Sequence, residues 1–152
     1  MGLDSYLYKK TFIWRGEWME ADKKQEVVVK TGGVVDTKIN SERIKYVIEE
    51  VGYWRKANHI HNWFVQNVQD GVDDCKQADV YREHLQDLLE ACNRVMINPS
   101  EAEELLPTAS GFFFGGTEYD EYYFGSIQET ISILEECLSD EDADTFYYTS
   151  SW

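Results

Sequence analysis

Residues 118–152 read EYDEYYFGSIQETISILEECLSDEDADTFYYTSSW. Tyr123, Ile127, Ile131, Leu134 and Leu138 recur at the helical period, which predicts a helix over 118–138 with one apolar side. Thr117 is placed to cap it, with Asp120 near its positive end. An acidic loop, Ser139 to Asp144, follows. The period then changes to two, and Phe146, Tyr148, Ser150 and Trp152 form a closing strand. The first ~40 residues also read as β-structure. Tyr6, Tyr8, Phe12 and Trp14 hint at alternation, and Thr31-Gly32-Gly33 separates Val27-Val28-Val29 from Val34-Val35 as a hairpin turn.

Helices are expected between these ends. One starts at Asn40-Ser41, carries Ile44, Val47, Ile48 and Val51 at i, i+3, i+4, i+7, and stops at Gly52. A second runs from Tyr53 to Gln69 and a third from Asp79 to Ile97. Asn98-Pro99 breaks the third, and Ser100-Glu101-Ala102-Glu103 is a capping box opening a short helix before Pro107. Residues 110–117, with three successive Phe between glycines, read as a strand or tight buried loop. The expectation is an α+β fold. About four helices pack with a small, mostly antiparallel sheet from the N- and C-terminal segments, in one globular domain spanning 1–152.

Charge limits the partners. The chain of 152 residues has a net charge of −15. Residues 95–152 hold 13 Asp or Glu and no Lys, Arg or His, so the charge divides as −2 before and −13 within that tract. The same tract carries 11 of the 22 aromatic residues and is therefore not a disordered tail. So negative a chain is repelled by phosphate backbones and anionic lipid, and attracted to basic surfaces. No apolar run reaches the ~18 residues of a membrane span, and the N-terminus lacks a signal-peptide pattern. Cys75, Cys92 and Cys137 have no CxxC or Cys/His ligand spacing, which fits a reducing interior and a cytoplasmic location.

On the last helix, Glu118, Glu121, Glu129, Glu135 and Glu136 fall opposite the apolar side. Asp120 and the loop acids Asp140, Glu141, Asp142 and Asp144 lie near its ends. Such a surface would grip a basic partner, and thirteen charges match the phosphates of about 22 Å of duplex. The alternative is a solvated face neutralised by the basic N-terminal part.

Residues 53–64 read YWRKANHIHNWF. As one helix, Trp54, Ala57, Ile60, His61, Phe64, Val65 and Val68 face the core. Arg55, His59, Asn62, Trp63 and Gln66 face away. His59 and His61 are two apart and cannot chelate one metal from a regular helix, so no metal or cofactor site is assigned. His61 reads as a hydrogen-bonded core histidine that could matter chemically beside Asp73, Asp74 or a Tyr hydroxyl. Trp54, Arg55, His59, His61, Asn62 and Trp63 form a possible ligand site. Gly111–Gly116 lacks the Lys-Ser/Thr of a phosphate loop, and no catalytic residue can be picked from spacing.

The blocks GYWRKAN (52–58), IHNWFV (60–65), SGFFFG (110–115) and TEYDEYY (117–123), with the MGLD start and SSW ending, give the chain a resemblance. It resembles a family of small bacteriophage and prophage proteins. Ser5 departs from that pattern, where a larger residue is expected. The resemblance implies a phage context and carries over no catalytic residue. Together with the charge, it leads to the expectation of a non-enzymatic phage inhibitor of a host defence factor, anti-CRISPR-like or a similar anti-defence protein. It would act as a nucleic-acid mimic, occupying a basic, nucleic-acid-binding host protein. The alternatives are a small-molecule or nucleotide-binding or sequestering protein or small enzyme using segment 53–64, and a phage accessory or structural protein.

Overall fold

The computed structural model describes residues 2–111, 113–143 and 145–152. Its elements are β1 (Asp4–Phe12), β2 (Lys30–Thr31), β3 (Val34–Val35), β4 (Tyr46–Arg55), α1 (Asn58–Asn67), β5 (Ala78–Val80), α2 (Arg82–Ile97), α3 (Ala102–Leu105), α4 (Glu121–Ser139) and β6 (Phe146–Ser151). The larger sheet has the order β4-β1-β6-β5, and β2 pairs with β3 in a separate ribbon. β6 runs antiparallel to both β1 and β5. The Lys56 N–H donates to Leu3 O and the Ile13 N–H to Lys45 O, which makes β1 and β4 antiparallel as well. The fold is α+β, with N- and C-terminal strands side by side.

Contacts divide the chain into two compact units, residues 10–49 and residues 1–9 with 50–152. The larger unit holds the core. Phe146, Tyr148 and Ser150 of β6 are buried while Tyr147 and Thr149 are half-exposed, the period-two pattern of a sheet with one buried face. Leu7 sits opposite Tyr148, and the Phe64 ring of α1 stacks on Tyr148 with centroids 4.1 Å apart. Ile127, Ile131 and Leu134 of α4 and Leu85, Leu88, Cys92 and Val95 of α2 complete the layer. Each large apolar side chain buried there contributes about 1.5–3 kcal/mol. On the other face of the sheet, Tyr8 stacks on its register partner Tyr147 at 4.9 Å.

The unit spanning 10–49 is built differently, since Ile13 is its only buried residue among those described. Gly32 and Gly33 have φ of 57° and 83°, the left-handed pair that a two-residue type I′ hairpin turn requires. Polar bonds do most of the fixing. Arg15 donates to the Ser41 and Ile44 carbonyls, and Ser41 Oγ donates to Val27 O at 2.6 Å.

Several sequence expectations are corrected. The helix over 40–52 is replaced by one 3-10 turn, Ser41–Arg43, and then by β4. Asn40 does cap that turn, accepting from the Glu42 N–H. Tyr46, Val47, Ile48, Val51, Tyr53 and Trp54 are β-branched or aromatic, and pairing with β1 outweighs a helical spacing that four apolar positions also satisfy. The second helix consequently begins at Asn58, not Tyr53, and the third at Arg82, with β5 taking Ala78–Val80. The Ser100 capping box does not form: Ser100 Oγ donates to Asn98 Oδ1 instead. Asp120, not Thr117, caps α4, its Oδ1 accepting the Tyr123 N–H at 3.1 Å, while the Thr117 carbonyl is taken by Thr108 Oγ1. For residues 110–117 the loop, one of the two readings, holds at the described positions, where no strand is formed, Phe114 is buried and Phe113 is exposed; Phe112 lies outside the described residues.

Candidate functional site

A cleft of about 560 Å³ opens where the end of β4, the first turn of α1, the 108–118 loop and the start of α4 converge. Arg55, Lys56, His59, Glu118, Asp120 and Tyr122 line it. Its wall is tied by one buried amide. Asn58 Nδ2 donates to the Phe114 and Gly116 carbonyls at 3.1 and 2.8 Å, and its Oδ1 accepts the Ala109 N–H at 2.9 Å. Tyr122 Oη donates to the Arg55 carbonyl, and Tyr123 Oη donates to Leu106 O at 2.8 Å. The rim is thus preorganised by side chains bonded to backbone.

Lys56 holds a backbone φ of 54°, the left-handed region, at a cost of about 1–2 kcal/mol for a residue with a Cβ. Its N–H bond to Leu3 O, 2.7 Å, holds it there. Gly115, itself at φ 88°, lies so close that a Cβ on it would sit 3.2 Å from the Lys56 Cβ. Arg55 is engaged by Asp4 at 3.2 Å. The Lys56 ammonium has no ion pair among the described residues.

His59 is only 3% exposed, a correction to its expected outward position. A helix that starts at Asn58 puts His59 in the first turn, under the loop and against Tyr123, with ring centroids 4.3 Å apart. Burial lowers its pKa from 6.5 to about 4, so the imidazole is neutral near pH 7. Ser126 Oγ lies 2.7 Å from both His59 Nε2 and the Tyr123 carbonyl. The carbonyl can only accept, so the serine proton goes there and His59 Nε2–H donates to Oγ. That polarity is opposite to what activating a serine nucleophile requires, where the imidazole must accept.

The other α1 histidine forms a second network. His61 Nε2 lies 2.9 Å from Asp73 Oδ2, and Nδ1 lies 2.7 Å from Tyr148 Oη. The carboxylate only accepts, so Nε2–H donates to it; with a single ring proton, Nδ1 then accepts from Tyr148 Oη. Trp152 Nε1 donates to the second Asp73 oxygen at 3.1 Å. This relay has the direction of a general-base pair, but the Tyr148 side chain is fully buried and burial raises its pKa. It fastens β6 to α1. His61, Asn62 and Asp73 border a smaller cleft of about 220 Å³.

The remaining expected residues sort clearly. Trp54 is buried, donating Nε1–H to Thr130 Oγ1 at 2.8 Å. Trp63 is half-buried and packs edge-on against Phe64 at 5.3 Å. Segment 53–64 is therefore split, with Arg55 and His59 at the larger cleft and His61 and Asn62 at the smaller. Asn58, Tyr122 and Ser126 were not singled out from sequence. Ser126 and Thr130, spaced i, i+4 inside the apolar stripe of α4, were the readable signal of a polar contact there. Burial lifts the Cys92 and Cys137 thiols to about 12 and about 11, which leaves them as inert thiols.

On α4, Glu121, Glu129, Glu135 and Glu136 are exposed, as are Glu118 and Asp120 before it and Glu141 and Asp142 after it. None of Glu118, Glu121, Glu129, Glu135 or Glu136 has an ion pair among the described residues. Asp140 is paired with Lys9 at 3.1 Å, and Asp144 lies outside the described residues. Arg82 is spent on the Leu138, Asp140 and Ala143 carbonyls at the helix C-terminus. By structural unit, residues 10–49 carry eight basic and seven acidic groups, net +1; the remainder carries six basic and 22 acidic, net −16. No helix among the described residues is long and apolar enough to cross a membrane. No protein-family model matches the chain, and no curated protein or solved structure is found to be similar to it, so its chemistry has to be read from its own geometry.

Proposed function

We propose that this is a non-enzymatic, phage-encoded binding protein that inhibits a host defence factor in the host cytoplasm. The outer face of α4 would occupy a Lys/Arg-lined nucleic-acid site on that partner. The observation carrying the proposal is the row of exposed carboxylates on α4 that have no ion pair among the described residues, on a unit whose net charge is −16. Exposed charges of one sign are available to a basic surface, and a concentrated field accelerates encounter with one. The phage setting rests on the sequence blocks. The orientation of the Ser126–His59 contact and the burial of Tyr148 favour binding over catalysis.

Purified nucleic-acid-guided nucleases and DNA-acting restriction nucleases of a host form the test panel, with duplex DNA as competitor. The expected result is binding that DNA displaces and that weakens steeply with salt. Replacing Glu129, Glu135 and Glu136 together by Gln should weaken it by about tenfold or more, since each desolvated charge contact is worth on the order of 1 kcal/mol. No binding at low salt across the panel, or equal binding by the triple variant, would sink the proposal.

A further inference from the structure

The larger cleft has features that the acidic face does not explain. It contains a lysine in a left-handed backbone conformation, a buried neutral histidine and a loop pinned by a fully bonded buried asparagine. A non-glycine residue at positive φ costs free energy, and here that residue lines a cavity. We propose that this cleft is a binding site for a small phosphorylated sugar compound of the nucleotide class.

The lining specifies the ligand. Lys56 and Arg55 line it; Arg55 is paired with Asp4, while Lys56 has no ion pair among the described residues and is the charge that would meet an anionic group on the ligand. Glu118 and Asp120 line the same cavity and repel a purely anionic molecule. They accept hydrogen bonds, so the ligand also carries O–H or N–H donors, as a ribose does. Tyr122, 56% exposed, offers a ring face for a planar base. The cavity of about 560 Å³ falls within the range of small-molecule and cofactor sites, and a free amino acid, though zwitterionic, would fill only a fraction of it. His59, neutral and donating to Ser126 through Nε2, keeps its Nδ1 lone pair as an acceptor and adds no charge. The site meets one end of the acidic surface, since Glu118 and Asp120 line it, but Glu129, Glu135 and Glu136, whose replacement tests the partner surface, are not among its lining residues.

Calorimetric titration of the full chain tests this with AMP, ATP, a cyclic dinucleotide, ribose 5-phosphate and inorganic phosphate. At least one nucleotide should bind, and Lys56→Gly should weaken it by about tenfold or more, the loss of one charge-assisted contact. Glycine is at ease at φ 54°, so this variant keeps the fold, and an unchanged melting temperature separates lost binding from lost structure. Lys56→Arg should restore part of the affinity. Ribose 5-phosphate binding as tightly as the nucleotides would assign the site to the sugar phosphate and remove the base from the proposal. Inorganic phosphate alone, no binding at millimolar concentration, or full affinity in Lys56→Gly would overturn the proposal.

Discussion

Residues 10–49 and the rest of the chain are held by different physics. In the larger unit, Phe64, Tyr148, Leu88, Ile127 and Leu134 are fully buried, and polar groups such as Asn58 and His61 are buried with partners. The smaller unit buries Ile13 alone among its described residues and relies on a glycine turn, one arginine and local polar bonds. Charge follows the same division, net −16 against +1. The lesson is that a domain can carry strong self-repulsion when its interior is well packed. The near-neutral segment has little interior to set against any.

Three measurements would break or sharpen that contrast. The largest effect is expected for Phe64→Ala, which removes the ring stacked on Tyr148 and should destabilise the protein by about 3–5 kcal/mol in urea unfolding. A loss below about 1 kcal/mol would mean that this layer is not the core. Second comes pH. His59 takes up a proton at about 4 in the fold but near 6.5 in the unfolded chain, so its contribution is complete above pH 6.5 and is lost as pH falls toward 4. The loss is about 3 kcal/mol at most, and His59→Gln, which retains a donor for Ser126, should flatten the stability curve in that window. An identical slope in the variant would assign the acid sensitivity to other groups. The smallest effect belongs to the smaller unit. Gly33→Val meets no neighbouring atom but forces a β-branched residue to φ 83°, costing about 1–2 kcal/mol. Hydrogen exchange should show faster opening at Lys30–Val35 with α4 unchanged; equal acceleration in α4 would contradict the contrast.

How far sequence reached depends on the range of the interactions involved. α4, α2, β6 and the Gly32-Gly33 turn were legible because the signal is local: a helical stripe, a two-residue alternation, a pair of glycines. β4 was not, because Ile44, Val47, Ile48 and Val51 satisfy a helical spacing while β-branching and pairing with β1 decide for a strand. The start of α1 moved with it, and that shift carried His59 from an outward face to the wall of a cleft. The partners of Asn58 lie 51 to 58 residues away, so nothing near Asn58 in the chain marks it as the clamp of a loop. His61 was the exception. A buried histidine at the centre of an apolar stripe must find partners, and of the neighbours expected from sequence, Asp73, Asp74 or a tyrosine hydroxyl, it finds Asp73 and Tyr148.

The position of β6 between β1 and β5 has a consequence for the order of events in the cell. β1 is synthesised long before β6, yet one of its edges has no partner until residues 146–151 have left the ribosome. β5 waits for the same strand. Joining β1 to β6 closes a loop of more than a hundred residues, a slow, non-local step that leaves open strand edges exposed in the meantime. Nascent chains stalled before Phe146 should therefore depend on chaperones, and those that have released residues 146–151 should not.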